Sequence, residues 1–334
     1  MAQLIDQLGR RIDNLRISVT DRCNFRCLYC MPEEGMEWIP KEEVLSFEEI
    51  EKLVRTLAPL GIRKLRLTGG EPLLRRDLPE LVSMLRAVEG IEDIALTTNA
   101  VLLSEQAEAL RKSGLDRVNI SLDSLLKERF EQITRRDALE RVLLGIEQAS
   151  RIFPGPLKIN AVLMRGLNDG EVPAFAELAR ENGHSVRFIE YMPLDADESW
   201  SRSALVSGAE IREQIDRHLE GKARLIEDPA RDPRAPASDY VFSDGAPGKI
   251  GFINSVSEPF CENCNRIRIT AEGKLRTCLF SQDETDIAAL IRAGASDEDI
   301  AEAVQVAVHD KEPGHRINEP DFVRASRTMS QIGG

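Results

Sequence analysis

Short β-rich runs alternate with helical segments through the N-terminal part of the chain. Six such runs are present, and they are LRISVT, KLRLTGG, DIALTTN, RVNISLD, LKINAVLM and VRFIEYM. Strands that alternate with helices are typical of βα units built around a parallel sheet. Six units are too few for a complete eight-fold barrel. The sequence of 334 residues therefore predicts an α/β fold, either a partial (βα)6 TIM-like barrel or an open sheet.

Several helix boundaries are predicted from local end signals. Ser46 and Glu49 have the spacing of a capping box, and Gly183 is placed to end a helix. Two further helices are expected at residues 283–293 and 296–310, the second after a serine that can cap it.

The βα pattern fades after the sixth run, which suggests a change in organisation. Residues 224–248 combine proline, glycine and charged residues, so we expect a loop there. The predicted division is a barrel core over residues 1–222 and a C-terminal extension over residues 223–334.

Five of the six runs place polar residues at every second position. A parallel strand that is covered on both faces is almost wholly apolar, so one face of this sheet must meet something polar. Arg16, Arg66 and Lys158 fall on that face. Either the face lies in water, or it is a concave surface on which these cations bind anionic groups such as phosphates.

The composition limits the possible partners and location. A net charge of −13 argues against binding to nucleic acid, which needs a surplus of basic residues on one face. The sequence has no apolar run of the roughly 18 residues that a membrane span needs, and its N-terminus lacks the features of a signal peptide. We therefore expect a cytoplasmic protein without a membrane partner.

The six cysteines form two triplets. Cys23, Cys27 and Cys30 follow the first β-rich run, and the second triplet is Cys261, Cys264 and Cys278. In a reducing compartment such clusters indicate metal or redox chemistry rather than disulfides.

Three thiols leave a metal site one ligand short, which permits two interpretations. A structural zinc site would need a fourth ligand, and a distant histidine could supply it. The histidines are His184, His218, His309 and His315. Alternatively, a four-iron cluster held by three thiolates would leave one iron free to bind another molecule. The first triplet lies where α/β enzymes place their active sites, at the carboxyl end of a parallel strand.

The spacing Cys-x3-Cys-x2-Cys after the first strand resembles the signature of the radical S-adenosylmethionine (SAM) enzymes. The resemblance implies a partial (βα)6 barrel and a [4Fe-4S] cluster whose open iron chelates SAM. It also implies reductive cleavage of SAM to a 5′-deoxyadenosyl radical.

Further segments along the whole chain look like the GTP 3′,8-cyclase family of radical SAM enzymes. They are RLTGGEPLLRRDL, LTTNA, NISLDS, KINAVLMRGLND, FIEYMPLD, GKIGFI, CENCNRIRIT and the terminal IGG. The resemblance implies a lyase that converts GTP to (8S)-3′,8-cyclo-7,8-dihydroguanosine 5′-triphosphate, the first step of molybdenum cofactor biosynthesis.

The same resemblance implies roles for individual residues. The first cysteine triplet would hold the SAM cluster, and the second would hold another [4Fe-4S] cluster in the C-terminal extension. Residues implied to contact SAM are Tyr29, Gly70, Ser121 and Met192. Residues implied to bind GTP are Arg16, Arg66, Thr97, Lys158, Arg266, Ile267 and Arg268. The C-terminal glycines, Gly333 and Gly334, would enter the active site and take part in catalysis.

One segment departs from the family pattern. The family usually has a Gly-Pro-Ala stretch before GKIGFI, whereas this chain has APASDYVF. The resemblance therefore does not imply a conformation for that stretch.

The implied partners are GTP, an external electron donor, cyclic pyranopterin monophosphate synthase as the next enzyme, and a second copy in a homodimer. Two rival functions stay open at this point. One is another radical SAM enzyme with an auxiliary cluster, such as a peptide-modifying enzyme, and the other is a zinc-binding adaptor without catalytic activity.

Overall fold

The computed structural model describes residues 3–333. Within these residues twelve strands, β1 to β12 in chain order, join into one sheet. Their bounds are Asn14–Ser18, Lys64–Thr68, Asp93–Thr98, Arg117–Ser121, Lys158–Leu163, Ser185–Glu190, Leu225–Glu227, Ser238–Phe242, Lys249–Ile253, Arg266–Ile269, Lys274–Arg276 and Thr285–Asp286. Each β-rich run predicted from the sequence overlaps one of the first six strands.

The middle of the sheet is parallel. Strands β1 to β6 are neighbours in chain order, as successive βα units require. The C-terminal part of the chain extends this sheet at both edges, because β10 pairs in parallel with β1 and β9 pairs in parallel with β6. Antiparallel strands β11 and β12 continue one edge, and β8 and β7 continue the other. The predicted partial (βα)6 barrel with a C-terminal extension is confirmed, and both parts share one sheet.

Nine α-helices, α1 to α9 in chain order, lie within residues 3–333. Their bounds are Phe47–Leu57, Leu78–Arg86, Leu103–Lys112, Lys127–Thr134, Leu139–Ile152, Val172–Asn182, Gly208–His218, Ile287–Arg292 and Asp297–His309. The predicted capping box of Ser46 and Glu49 opens α1, and Gly183 ends α6 in a left-handed conformation. None of the helices in this described range is long and apolar enough to cross a membrane.

Two local predictions are wrong. Residues 224–248 are not a continuous loop, because they contain β7 and β8, which pair with each other while β8 also pairs with β9. The helix expected at residues 283–293 begins only at Ile287, because the two residues of β12 pair with β11 and Asp286 caps α8. In both places pairing with a distant strand decides the structure, and local composition does not show that pairing.

The apolar sides of the barrel strands pack in the main hydrophobic core. Leu15, Ile17, Leu65 and Leu67 are at most 1% exposed, and helix residues such as Leu53 pack against the same core. The polar positions of these strands therefore face away from the helices, into the concave side of the sheet.

Candidate active site

A large cavity lies over the polar face of the sheet. Its empty volume, including open space at the mouth, is about 2010 Å³. Both cysteine triplets line it, and the lining thiols belong to Cys23, Cys27, Cys30, Cys261, Cys264 and Cys278. The fold therefore brings two distant parts of the sequence to one chamber.

The first cysteine triplet lies in the loop between β1 and α1. Burial, followed by the nearby Glu71 carboxylate, raises the pKa of the Cys23 thiol to about 12. Burial likewise raises the pKa of the Cys30 thiol to about 11. These thiols become thiolates only beside a strong positive charge, which a bound metal centre supplies.

A glycine turn after β2 holds the cysteine loop in place. The Gly70 backbone N–H donates to the Thr20 carbonyl at 2.8 Å, and the Glu71 N–H donates to the Arg22 carbonyl at 2.7 Å. A Cβ atom at Gly70 would lie against the backbone carbonyls of Asp21 and Arg22. Glycine is therefore required for this close approach between the two backbones.

Glu71 is a buried carboxyl group that sequence reasoning did not single out. It lines the cavity and accepts hydrogen bonds from Thr98 Oγ1 at 2.7 Å, from the Asn99 N–H at 2.7 Å and from the Leu73 N–H at 3.0 Å. Burial raises the pKa of Glu71 to about 7 although these donors favour the charged form. The group can therefore hold or release a proton near neutral pH.

The residues predicted to contact SAM all line the cavity, and they are Tyr29, Gly70, Ser121 and Met192. The Tyr29 hydroxyl donates to Asp123 Oδ2 at 2.7 Å, and the other carboxylate oxygen accepts from the Val162 N–H at 2.8 Å. Asp123 therefore fixes the orientation of the tyrosine between two of the cysteines.

The second cysteine triplet has a different electrostatic environment. Burial raises the pKa of the Cys261 thiol. Burial alone would also raise the pKa of the Cys264 thiol, but the cations of Arg266 and Lys311 outweigh it and hold this pKa at about 6. Arg266 Nη2 lies 3.4 Å from the Cys264 sulfur. The Arg266 cation therefore stabilises the thiolate form of Cys264.

A buried arginine ties the second triplet to the start of the chain. Arg10 pairs with Asp6 at 2.5 Å, and both side chains are at most 5% exposed. The same guanidinium donates to the carbonyls of Cys261 at 2.8 Å, Pro313 at 2.9 Å and Glu312 at 2.6 Å. Arg10 therefore joins the cysteine loop to the segment that follows α9.

The donor chemistry of both triplets fits iron–sulfur clusters. All six thiols are free of disulfide bonds. Within residues 3–333, no group of three or more His, Cys, Asp or Glu side chains is arranged to hold a single metal ion. A four-iron cluster requires a different geometry from a single metal ion. Each thiolate binds a different iron, so the three sulfurs need only surround the space that the cluster fills.

Arginines from three neighbouring strands form a row on the cavity side of the sheet. The strand register places Arg16 on β1 directly opposite Arg66 on β2 and opposite Arg268 on β10. Burial and the neighbouring arginines lower the pKa of Arg66 to about 9 and lower the pKa of Arg16 well below its usual value. Cations held this close together in a buried site favour an anionic ligand.

Some buried polar atoms in this row and on the neighbouring strand β3 lack hydrogen-bond partners. Arg16 Nε, Arg66 Nε and Thr97 Oγ1 are buried and make no hydrogen bond to any other residue in the described range 3–333. All three residues line the cavity. Because buried polar groups are nearly always satisfied, these atoms point to a bound polar ligand.

Two residues predicted to bind GTP do not line the cavity. Lys158 lies on the same side of the sheet, where burial followed by the cations of Arg187, Arg117 and Arg66 lowers its pKa to about 7. The Ile267 side chain is 1% exposed and packs in the main core. Any contact of Ile267 with a ligand is therefore made by its backbone.

Arg187 on β6 is a cavity residue that the sequence interpretation missed. Its guanidinium lies 3.2 Å from Asp239, while its Nε is buried and has no partner within residues 3–333. The alternation of Val186, Arg187 and Phe188 has the same pattern as the other strands and could have revealed it. Asp239 comes from the divergent APASDYVF segment, which forms β8.

The C-terminal tail enters the barrel beside the arginine row. Arg268 Nη1 donates to the Ile332 carbonyl at 3.1 Å, and Thr68 Oγ1 donates to the Gly333 carbonyl at 3.1 Å. Ile332 is fully buried in a small second core. Gly334 lies outside the described residues.

His315 lies beside the second triplet. It lines the cavity, and its ring centroid lies 5.3 Å from that of Phe280. Its Nδ1 is buried and has no partner among the described residues. The sequence interpretation named this histidine only as one of four candidates for the missing fourth ligand of a zinc site.

Two family patterns cover most of the chain. Residues 17–179 match the Radical SAM superfamily, and residues 184–317 match the family described as Molybdenum Cofactor Synthesis C. The GTP 3′,8-cyclase of Paenarthrobacter nicotinovorans is 45% identical over 99% of this chain and 97% of that protein. The GTP 3′,8-cyclase of Streptomyces coelicolor is 44% identical over 99% of this chain and 96% of that protein. This chain belongs to the GTP 3′,8-cyclase family.

The GTP 3′,8-cyclase family uses SAM and two [4Fe-4S] clusters as cofactors, and two cysteine triplets line the cavity of this chain. The fold also resembles that of Streptococcus suis SuiB, whose structure has been solved with S-adenosylmethionine bound. The TM-score is 0.60 at 13% identity, over 94% of this chain and 76% of SuiB. At this identity the similarity shows a shared fold.

Proposed function

We propose that this protein is a radical SAM lyase that converts GTP to (8S)-3′,8-cyclo-7,8-dihydroguanosine 5′-triphosphate, the first step of molybdenum cofactor biosynthesis. One observation carries the proposal. Two cysteine triplets and an arginine row with unpartnered buried nitrogens line the same cavity. Close relatives in the GTP 3′,8-cyclase family support it.

The cysteines are the residues that would hold the clusters. Cys23, Cys27 and Cys30 would hold the cluster that binds SAM, and the second triplet would hold the cluster near the purine of GTP. The chemistry supplied by the bound cofactors is reductive cleavage of SAM, followed by radical chemistry at C3′ of the ribose and C8 of the guanine. The protein supplies binding, orientation and electrostatics.

Residues at the first triplet bind and orient SAM. Gly70 allows the glycine turn to pack directly on the backbone of the cysteine loop, since the site of a Cβ atom there is taken by the carbonyls of Asp21 and Arg22. Asp123 holds Tyr29 in one orientation through a 2.7 Å hydrogen bond. Ser121 and Met192 line the cavity as well and would complete the proposed SAM site.

The arginine row and its neighbours bind the triphosphate. Guanidinium groups of Arg16, Arg66, Arg266 and Arg268 line the cavity, and Arg187 adds a further guanidinium. Phosphate oxygens would accept hydrogen bonds from the unpartnered Nε atoms and neutralise the crowded cations. Thr97 Oγ1 and Lys158 would contribute further contacts from neighbouring strands.

The tail would complete the site beside the arginine row. Gly333 lies against Thr68 and Ser18 at the ends of β2 and β1, and its left-handed backbone has a φ of 75°. Through the Ile332 carbonyl the tail also orients Arg268. We infer that the terminal glycines position the triphosphate and exclude water from the reacting atoms.

Other parts of the proposal concern partners and organisation. An external one-electron donor would reduce the first cluster, and the product would pass to cyclic pyranopterin monophosphate synthase. We place the protein in the cytoplasm as a homodimer. The division into a barrel core at residues 1–222 and a C-terminal region at residues 223–334 is also part of this proposal.

The test is anaerobic turnover of the reconstituted protein with GTP, SAM and a low-potential reductant. The proposal predicts 5′-deoxyadenosine and a cyclised nucleotide, both dependent on GTP. Deoxyadenosine formed equally fast without GTP, together with no cyclised nucleotide, would mean that the substrate is wrong. Colourless protein that contains zinc and no iron would instead support the adaptor interpretation.

A further inference from the structure

Lys311 is a buried lysine behind the second cysteine triplet. The residue is only 4% exposed, and its ammonium donates to the backbone carbonyl of Thr277, next to the ligand Cys278. Among residues 3–333 this carbonyl is the partner of the ammonium, and no carboxylate forms an ion pair with it within 4.0 Å. An ammonium in an apolar interior is costly unless a negative charge compensates it.

A three-thiolate iron–sulfur cluster would supply that negative charge. The negative charge of three thiolates exceeds the positive charge of an oxidised four-iron core by one unit. Reduction of the core makes the assembly more negative still. The Lys311 ammonium is held at the Thr277 carbonyl, and both Thr277 and the adjacent Cys278 line the cavity. The ammonium therefore lies close enough to act on the electrostatics of the cluster.

The first triplet has a cation of its own, since Arg26 Nη1 donates to the Cys23 carbonyl at 2.9 Å, but carboxyl groups also act on its thiols. Burial followed by the Asp123 carboxylate raises the pKa of Cys27, and burial followed by the Glu71 carboxylate raises the pKa of Cys23 to about 12. The weak effect of Arg26 on Cys23 is the last of the contributions there. Carboxyl groups therefore act on the first thiol set, whereas the buried Lys311 ammonium lies behind the second.

We propose that Lys311 is a positioning residue whose buried charge raises the reduction potential of the second cluster. The step concerned is a one-electron reduction, in which a low-potential donor supplies the electron and the cluster becomes one unit more negative without taking up a proton. A nearby positive charge stabilises that more negative form. This inference rests on the proposed function, because it requires a cluster on the second triplet.

Other charged groups lie in the same region. One of them is negative, so removing it should shift the reduction potential in the opposite direction. Arg10 is paired with Asp6, so that pair adds little net charge. The Glu312 carboxylate accepts from Thr277 Oγ1 at 2.8 Å and also bonds to the Ser281 hydroxyl. Removing the Glu312 charge should therefore act against the effect of removing the Lys311 charge.

The experiment is a redox titration of both clusters, followed by electron paramagnetic resonance, in anaerobically reconstituted full-length protein. K311M and K311Q remove the charge, and K311R keeps it. We expect K311M and K311Q to make reduction of the second cluster at least tenfold less favourable, a shift of about 59 mV to more negative potential. K311R should retain the wild-type value, and E312Q should shift the potential in the positive direction.

There are two controls, one within the same molecule and one in a separate variant. The first cluster in the same molecule should keep its potential in every variant, and K112M removes a lysine with 77% of its side chain exposed on α3. A second cluster that keeps its iron and its wild-type potential in K311M would overturn the proposal. So would a shift in the same direction for K311M and E312Q, because that result indicates structural disturbance. Wild-type protein with only one redox-active cluster would contradict the proposed function itself.

Discussion

Arg16 and Arg66 lie directly opposite each other on β1 and β2, and each has a buried Nε without a partner in the described range 3–333. Two guanidinium groups in register repel each other, and burial lowers the pKa of both. Such an arrangement is stabilised when an anion binds between the groups, and this is the basis of the proposed triphosphate site.

Neutralising either arginine should weaken GTP binding. A hydrogen bond to a charged group contributes about 1.5–3 kcal/mol, so R16Q and R66Q should each raise the Kd for GTP by roughly 10- to 100-fold. Calorimetric titration measures the Kd, and iron content shows that both clusters remain. R151Q, on a side chain that is 62% exposed on α5, is the matched control and should bind GTP normally. An unchanged Kd in both cavity variants would refute the site.

The affinity for GTP should fall as the pH rises above neutrality. Burial and neighbouring cations place the pKa of Lys158 at about 7 in the free protein, and a bound triphosphate would raise it. Binding through the ammonium is then fully present below about pH 7 and is lost as the pH rises through the higher pKa of the complex. The check is the Kd from about pH 6.5 to about pH 9 in wild type and K158M.

GTP also titrates near neutrality, so the difference between the two profiles is the informative quantity. The wild type should lose affinity more steeply than K158M above about pH 7, and the two curves should converge at high pH. Parallel curves would show that Lys158 does not interact with the nucleotide.

Substituting Gly70 should disrupt the SAM site. The Cβ of G70A would meet backbone carbonyl oxygens that have no room to move, so we expect about 1–3 kcal/mol of destabilisation and at least tenfold weaker SAM binding. G170A is the matched control, because a Cβ at Gly170 meets nothing within 4 Å. Thermal unfolding and SAM titration provide the two measurements, and wild-type SAM binding by G70A would be the contrary result.

The tail should be needed for turnover rather than for cluster binding. In G333A the new Cβ would lie 2.7 Å from Thr68 Oγ1, and the left-handed backbone costs about 1–2 kcal/mol for a non-glycine residue. We expect turnover to fall at least tenfold with both clusters retained. G294A has a similar φ of 78° at a site with nothing within 4 Å, so it separates backbone strain from displacement of the tail. Equal activity of the two variants would argue against a role for the tail.

Removing Arg10 should destabilise the second cluster. R10M leaves Asp6 buried without its partner, and breaking such a pair costs about 3–5 kcal/mol. The substitution also leaves the carbonyls of Cys261 and Pro313 without the hydrogen bonds that Arg10 donates. We expect loss of iron from the second triplet at lower temperature than in wild type, measured by iron content during heating. R11M, at the exposed neighbouring residue, should behave as wild type.

The sequence pattern was sufficient for the barrel and for much of the polar face. Alternation in β1 and β2 placed Arg16 and Arg66 correctly on one face, because the side-chain period of a strand is fixed at two. The capping box at Ser46 was also reliable, since it depends only on residues three positions apart.

Features that depend on distant contacts could not be predicted. The alternation in β6 could have placed Arg187 on the polar face, but its ion pair with Asp239 arises only because β8 joins the sheet beside β9. The parallel pairing of β10 with β1 places Arg268 in the same row as Arg16, although the two residues lie far apart in the sequence. The role of Arg10 arises from packing between the two ends of the chain, and that of Lys311 from packing of the segment after α9 against Thr277.

The most direct test of the central claim uses GTP that carries deuterium at C3′, with SAM and a low-potential reductant under anaerobic conditions. If one cavity holds both molecules with C3′ next to the reacting carbon of SAM, the 5′-deoxyadenosine formed should carry one deuterium by mass spectrometry. Deoxyadenosine without the label, released while GTP is consumed, would contradict the account.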